Sequence, residues 1–182
     1  MKLLILFLLS SWTILTAQTN FIIVDSDLIW QKVYETDLKP EQIQKQLKQM
    51  GGFNIESVND NELHLNILRT KIDYTGAGYK KWGLPAYLAM NDYIAFAMIQ
   101  FKEGKYRVTV KKIKLIQKEN HSTTIGGNNI DLYSEGAETA IEEYTIKNSG
   151  DYKNQFIKTG SIVLDYTFNN LFEIKEATTD DW

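Results

Sequence analysis

The chain has 182 residues, a formal net charge of −3 and no cysteine. That length suits one domain and excludes disulfides, zinc–thiolate sites and thiol nucleophiles, so a hydrophobic core must hold the fold. The charge is uneven, with 15 basic and 12 acidic residues from Gln18 to Glu119 but 4 and 11 from Asn120 onward; an acidic total sets nucleic-acid binding aside despite the lysines between Lys102 and Lys118.

Lys2, the apolar run Leu3–Leu9, Ser10-Ser11 and Thr16-Ala17 describe a secretory signal peptide over residues 1–17, cut after Ala17. The run is short of the ~20 apolar residues of a membrane span, so no stable span is expected after cleavage. A retained N-terminal anchor is the alternative. The expected compartment is the periplasm or exterior of a Gram-negative cell. Cleavage would leave a single domain over 18–177, which at such a size buries roughly 70% of the surface its unfolded chain exposes.

Phe21–Val24 is a short apolar run, a strand or a lead-in. Leu28–Glu35 is a better strand, with Trp30 and Tyr34 on one parity. Pro40 opens a helix whose apolar positions Ile43, Leu47 and Met50 recur at i, i+4, i+7, and Gly51-Gly52 stops it. Phe53–Val58 and Glu62–Thr70 read as strands joined by Asn59-Asp60-Asn61. Leu63, Leu65 and Ile67 share a face, with His64 and Asn66 turned the other way.

Lys71–Met90 is broken by Gly76, Gly78, Gly83 and Pro85 yet rich in aromatic residues. It is expected to pack over something. Asn91–Gln117 then reads as a long hairpin turning at Glu103-Gly104, with Phe101 facing Tyr106, Ile99 facing Val108 and Ala97 facing Val110. Ala95 and Ala97 leave room for a helix. Apolar residues are even-numbered up to Val110 and odd-numbered at Ile113 and Leu115, which predicts a β-bulge near Lys111-Lys112.

Asn120–Asn148 is a polar insertion with local structure expected around Thr139–Ile146. Ser149 or Asp151 is expected to cap a last helix carrying the stripe Tyr152, Phe156, Gly160, Val163, Leu164, Phe168, Leu171 and Phe172. Residues 178–182 form an acidic tail. The reading is an α+β domain: a curved antiparallel sheet of about five strands in the order β-α-β-β-β-β-α, with both helices on one face.

This order, with FKEGKYRVTVKKIKL at 101–115 and the Gly/Tyr/Pro-rich segment Asp73–Tyr87, resembles a family of exported bacterial proteins. The family is a domain of unknown function with a TBP-like fold. The likeness spans roughly residues 28–174 and implies no catalytic residues, since the family has no assigned activity. A fold of this kind does not by itself imply DNA binding.

The candidate ligand or partner site is Tyr79, Trp82 and Tyr87 with Phe96 and Met98. Ile94, Phe96 and Met98 lie on the sheet face opposite the helices and need cover, and the simplest arrangement folds residues 71–90 back over them. A pocket or an oligomer contact there is the functional alternative. The hairpin lysines read as a solvated edge that opposes aggregation, or as a surface for acidic partners.

No metal or cofactor is expected. Gly76-Ala77-Gly78 lacks phosphate-loop spacing, and Asn128, Asn129, Asp131 and Glu135 lack a calcium-loop pattern. His64 and His121 have no evident nucleophile or ligand partner. The leading reading is a non-catalytic exported domain that binds a protein or envelope component. A hydrolase of envelope polymers using Asp/Glu pairs and a structural homo-oligomer are the alternatives.

Overall fold

Glycine at 104, with φ of 70°, closes the central hairpin where the sequence places it. Its arms are β5 (Asn91–Lys102) and β6 (Lys105–Gln117), and Phe101, Ile99 and Ala97 face Tyr106, Val108 and Val110 as expected. The register slips between Ile94 and Phe96, opposite Lys112, which has φ of 54°. That bulge moves the buried parity of β6 from Val110 to Ile113 and Leu115. The computed structural model describes residues 20–174 except 60, 126 and 127, with the backbone alone for 121–133. The signal peptide expected at 1–17 and the acidic tail expected at 178–182 lie outside the described residues.

Around the hairpin stand β1 (Phe21–Val24), β2 (Asp27–Glu35), β3 (Phe53–Asn59), β4 (Glu62–Lys71) and, beyond β7 (His121–Ile125) and β8 (Asn128–Tyr133), β9 (Glu138–Ala140). The sheet has seven strands in the order β1-β2-β6-β5-β4-β3, with β9 on the edge of β6 past its bulge. About five were expected. The two additions are β1, folded onto β2 through Asp25 and Ser26, both with positive φ, and β9, which has only three residues. Paired positive φ values are the signature of a tight hairpin turn, but Asp-Ser announces it less strongly than Asn-Gly.

Helix α1 (Pro40–Met50) has the expected bounds and buries Ile43 and Leu47. Two short helices follow, α2 (Ala86–Ala89) and α3 (Glu142–Thr145), the latter within the stretch where local structure was expected. The last helix differs at its start. Ser149 Oγ donates to Asp151 Oδ2 at 2.9 Å, and Lys147 N to Asp151 O at 2.8 Å, so both cap candidates are used in a turn. The helix winds as a π segment over Phe156–Gly160 before α4 (Ser161–Phe172).

α4 crosses the sheet as expected. Phe168 packs edge-on against Tyr93 at 5.4 Å and against Trp30 at 5.5 Å, while Phe172 meets Phe53 at 5.7 Å. Tyr93 lies two residues from Ala95 on the same face, and Phe53 pairs Ile67, which pairs Ala95. The buried Ala95 and Ala97 therefore sit in the floor beneath the helix. Polar contacts fix its pitch. Asp165 Oδ1 accepts from Trp30 Nε1 at 2.7 Å and from Asn20 Nδ2 at 2.8 Å, and Tyr106 OH donates to Phe172 O at 2.7 Å. Both long helices share one core, so the other sheet face has no helix on it among the described residues.

Residues 71–90 do not fold over that open face, contrary to the expectation. Ile72, Tyr87 and Leu88 are buried in the core on the helix side. Asp73 N donates to Thr167 Oγ1 at 3.1 Å, and Gly76 lies against the Tyr166 ring. Ile72 and Leu88 supply apolar side chains that the space beside α4 can bury, and this draws the segment there.

Candidate functional site

The open face is read from strand parity. Leu63, Leu65 and Ile67 point into the core, so their neighbours His64 and Asn66 point out; on β5 the outward residues are Asp92, Ile94, Phe96, Met98 and Gln100. Register brings these into rows across the strands. Met98 stands between Thr109 and His64, Phe96 between Lys111 and Asn66, and Gln100 between Arg107 and Glu62.

The central row is aromatic and basic. Lys111 Nζ lies 5.4 Å from the Phe96 ring centroid, and the His64 ring meets the same ring edge-on at 5.6 Å. A cation over an exposed aromatic face contributes about 0.5–1 kcal/mol. Beside it runs a polar chain. Arg107 Nε donates to Gln100 Oε1 at 3.0 Å, and Gln100 Nε2 donates to Glu62 Oε1 at 2.6 Å. His64 Nε2 lies 3.3 Å from Glu62 Oε2. The hydrogen bond from Gln100, helped by His64, holds the Glu62 carboxyl below its usual range.

At the far end Asp92, buried, meets Arg69 Nε at 2.9 Å and Lys118 Nζ at 3.5 Å. Lys114, opposite Ile94, pairs Glu138 at 2.9 Å. Between these ends a shallow groove of ≈ 360 Å³ is lined by Leu68, Ile94, Phe96, Lys112 and Lys114. Leu68 at 50% and Val33 at 52% exposure add apolar surface that no described element covers. Among the described residues Arg107, Lys111 and Lys112 have no carboxylate within 4.0 Å.

The five site residues expected from the sequence therefore separate. Phe96 and Met98 share the open face. Tyr87 is buried on the helix side, its ring stacked on Tyr144 at 5.3 Å and its hydroxyl against Gly160. Tyr79 is half-buried against the core, and Trp82 projects into solvent at 86% exposure. Sequence reasoning left out Glu62 as the neighbour of His64. The signal was available, because residues i and i+2 of a strand share a face.

Among the described residues no cluster of three His, Cys, Asp or Glu side chains could hold a metal ion. The side chains of Asn128, Asn129 and Asp131, weighed as a calcium loop, and of His121 lie outside the described residues. No described helix is long and apolar enough to cross a membrane.

A seven-stranded antiparallel sheet, curved and backed on one face by helices with the other open among the described residues, is a TBP-like α+β fold. The chain is similar to a solved TBP-like protein from Parabacteroides distasonis, with a TM-score of 0.50 and 10% identity over 84% of this chain and 94% of that one. It is also similar to a DUF4468 family protein from Bacteroides ovatus, with a TM-score of 0.45 and 12% identity over 87% of this chain and 93% of that one. No protein-family model and no curated protein matches the sequence. At such identities the likeness speaks for the fold alone.

Proposed function

We propose that the protein is a non-catalytic binding domain of the cell envelope, and that its open sheet face receives an acidic segment of a partner protein. The observation that carries this reading is Phe96, capped by Lys111, next to Met98 and between Arg107 and Lys112. Half-buried apolar centres ringed by cations that have no carboxylate partner among the described residues suit a ligand that brings both carboxylates and an apolar side chain. Export, expected from residues 1–17, places the partner outside the cytoplasm. Hydrolysis through paired acids is less well supported, because Glu62 is held by Gln100 and His64, and Asp92 by Arg69 and Lys118.

A photo-crosslinking residue at position 98, expressed in the native cell, tests the reading. The expected result is a discrete adduct with one envelope protein, lost when Lys111 and Lys112 are both changed to Glu. An adduct that survives the double charge reversal, or no adduct from folded exported protein, would overturn it.

A further inference from the structure

Trp82 is the most exposed large apolar residue described, at 86%, whereas tryptophan is highly buried on average. It does not sit on a loose loop. Tyr79 and Leu84 pack against the core on either side of it, and the tip between them is closed by hydrogen bonds from Gly83 N to Lys80 O at 3.0 Å and from Leu84 N to Lys81 O at 3.3 Å. The fold thus holds an indole out into water on a one-turn helix, Lys81–Gly83, fixed at both ends.

The neighbours indicate what it meets. Residues 79–85 read Tyr-Lys-Lys-Trp-Gly-Leu-Pro, with two ammonium groups and no carboxylate or side-chain amide. Neither Lys80 nor Lys81 has a carboxylate within 4.0 Å among the described residues. A hollow behind the tip brings Lys118 and Glu119 next to Lys81 and Met90, and Lys118 is shared with Asp92. Sugar recognition would need carboxylates or amides flanking the ring to pair with hydroxyls, and besides its lysines the segment has only the hydroxyl of Tyr79, whose ring packs against the core. An indole directly preceded by two lysines suits the boundary of a lipid bilayer, where the ring sits among headgroups and the ammonium groups reach phosphate.

We propose that the Lys80–Gly83 tip is a membrane-surface contact, with Trp82 inserting at the headgroup level of anionic lipid and Lys80 and Lys81 binding the phosphates. The contact is peripheral and separate from the open sheet face. A surface anchor of this size binds weakly and is sensitive to salt.

The test is cosedimentation of the chain from Gln18 onward, which keeps every core residue, with vesicles of phosphatidylglycerol and phosphatidylcholine. Binding to the mixed vesicles is expected, falling at high salt and weak on phosphatidylcholine alone. Trp82→Ala should weaken it at least tenfold, and Lys80→Ala or Lys81→Ala about fivefold each, since a lysine near an anionic surface contributes about that factor. Met98→Ser should leave it unchanged, and the variants should melt with the parent protein because Lys80, Lys81 and Trp82 are all exposed. Absence of vesicle binding by the folded chain, or binding that Trp82→Ala leaves intact, would overturn the proposal. So would a dimer in light scattering that Trp82→Ala dissociates, because it would assign the tip to a second copy.

Discussion

Gly160→Ala should destabilise the protein chiefly through Tyr87, with the Phe156 ring as a second close neighbour. A Cβ at position 160 would lie 2.9 Å from Phe156 Cδ2 and 3.3 Å from Tyr87 Cζ, and inside the van der Waals envelope of the Tyr87 hydroxyl. Tyr87 cannot easily retreat, because it is buried and stacked on Tyr144 at an interplanar angle of 14°. Overpacking a well-filled core costs about 1–3 kcal/mol. Gly160 has helical backbone angles, φ −59° and ψ −47°, so alanine also recovers up to about 1 kcal/mol of helix propensity. The net loss should be about 1–2 kcal/mol, or roughly 2–8 °C in Tm for a domain of this size.

The partner variant makes the argument sharp. The Tyr87 hydroxyl is buried with no hydrogen-bond partner among the described residues, so Tyr87→Phe should be neutral or slightly stabilising. In that background the hydroxyl clash is gone and only the closer approach to the Phe156 ring is left, so Gly160→Ala should cost clearly less than in the parent. Urea unfolding of the two single variants and the double variant should give a coupling of at least about 1 kcal/mol. Strictly additive effects would show that the close approach of the π segment to Tyr87 is not what glycine serves here.

Three further outcomes are expected. Asp165→Ala leaves the buried Trp30 N–H without its acceptor and should cost about 1.5–3 kcal/mol in urea unfolding, with Asp165→Asn milder; equal losses would argue against the hydrogen bond. Arg69→Met leaves Asp92 with Lys118 alone, and the loss should be about 1–2 kcal/mol, below that of a fully buried pair because Arg69 is 44% exposed; a change within 0.5 kcal/mol, the scale of ordinary surface substitutions, would refute it. Burial pushes the Tyr34, Tyr87, Tyr93 and Tyr106 phenols above their ordinary value, with Tyr106, Glu173 and Asp165 adding to the effect at Tyr34. Below about pH 10 these groups are protonated in both states; above it the unfolded chain releases protons that the folded chain retains, so stability should fall as pH rises. Tyrosinate absorbance should show these four silent until cooperative unfolding, and early titration of all 10 tyrosines in folded protein would contradict it.

Much of the architecture was legible because it is written in short-range patterns. Gly104 marked the turn, the shift of apolar parity after Val110 marked the bulge, and Pro40 with Gly51-Gly52 bracketed α1. Phe156, Val163, Leu164, Phe168 and Phe172 declared the buried stripe of the last helix. What escaped depends on choices between distant surfaces. Residues 71–90 carry apolar side chains that would suit either face of the sheet, and only the room beside α4, at Thr167 and Tyr166, decides for the helix side. The same choice separated Tyr79, Trp82 and Tyr87 from Phe96 and Met98. The pairing of Phe96 with Lys111 continues the turn register that puts Ala97 opposite Val110, whereas the pairing of Ile94 with Lys114 needed the bulge placed to the residue.

Where the chain leaves β6 and where it comes back are tied together. Gln117 N donates to Ala137 O at 3.0 Å, and Gly136 N donates to Gln117 O at 2.9 Å, so the excursion that carries β7 and β8 starts and finishes at one pinch. Of the residues after Lys118 and before Ala137 whose side chains are described, none is buried. Because the entropy of closing a loop grows only slowly with its length, the excursion can be lengthened by a reporter sequence at little thermodynamic penalty. Evolution has the same freedom at this place, and an engineer wanting to graft a tag without disturbing either surface should cut here.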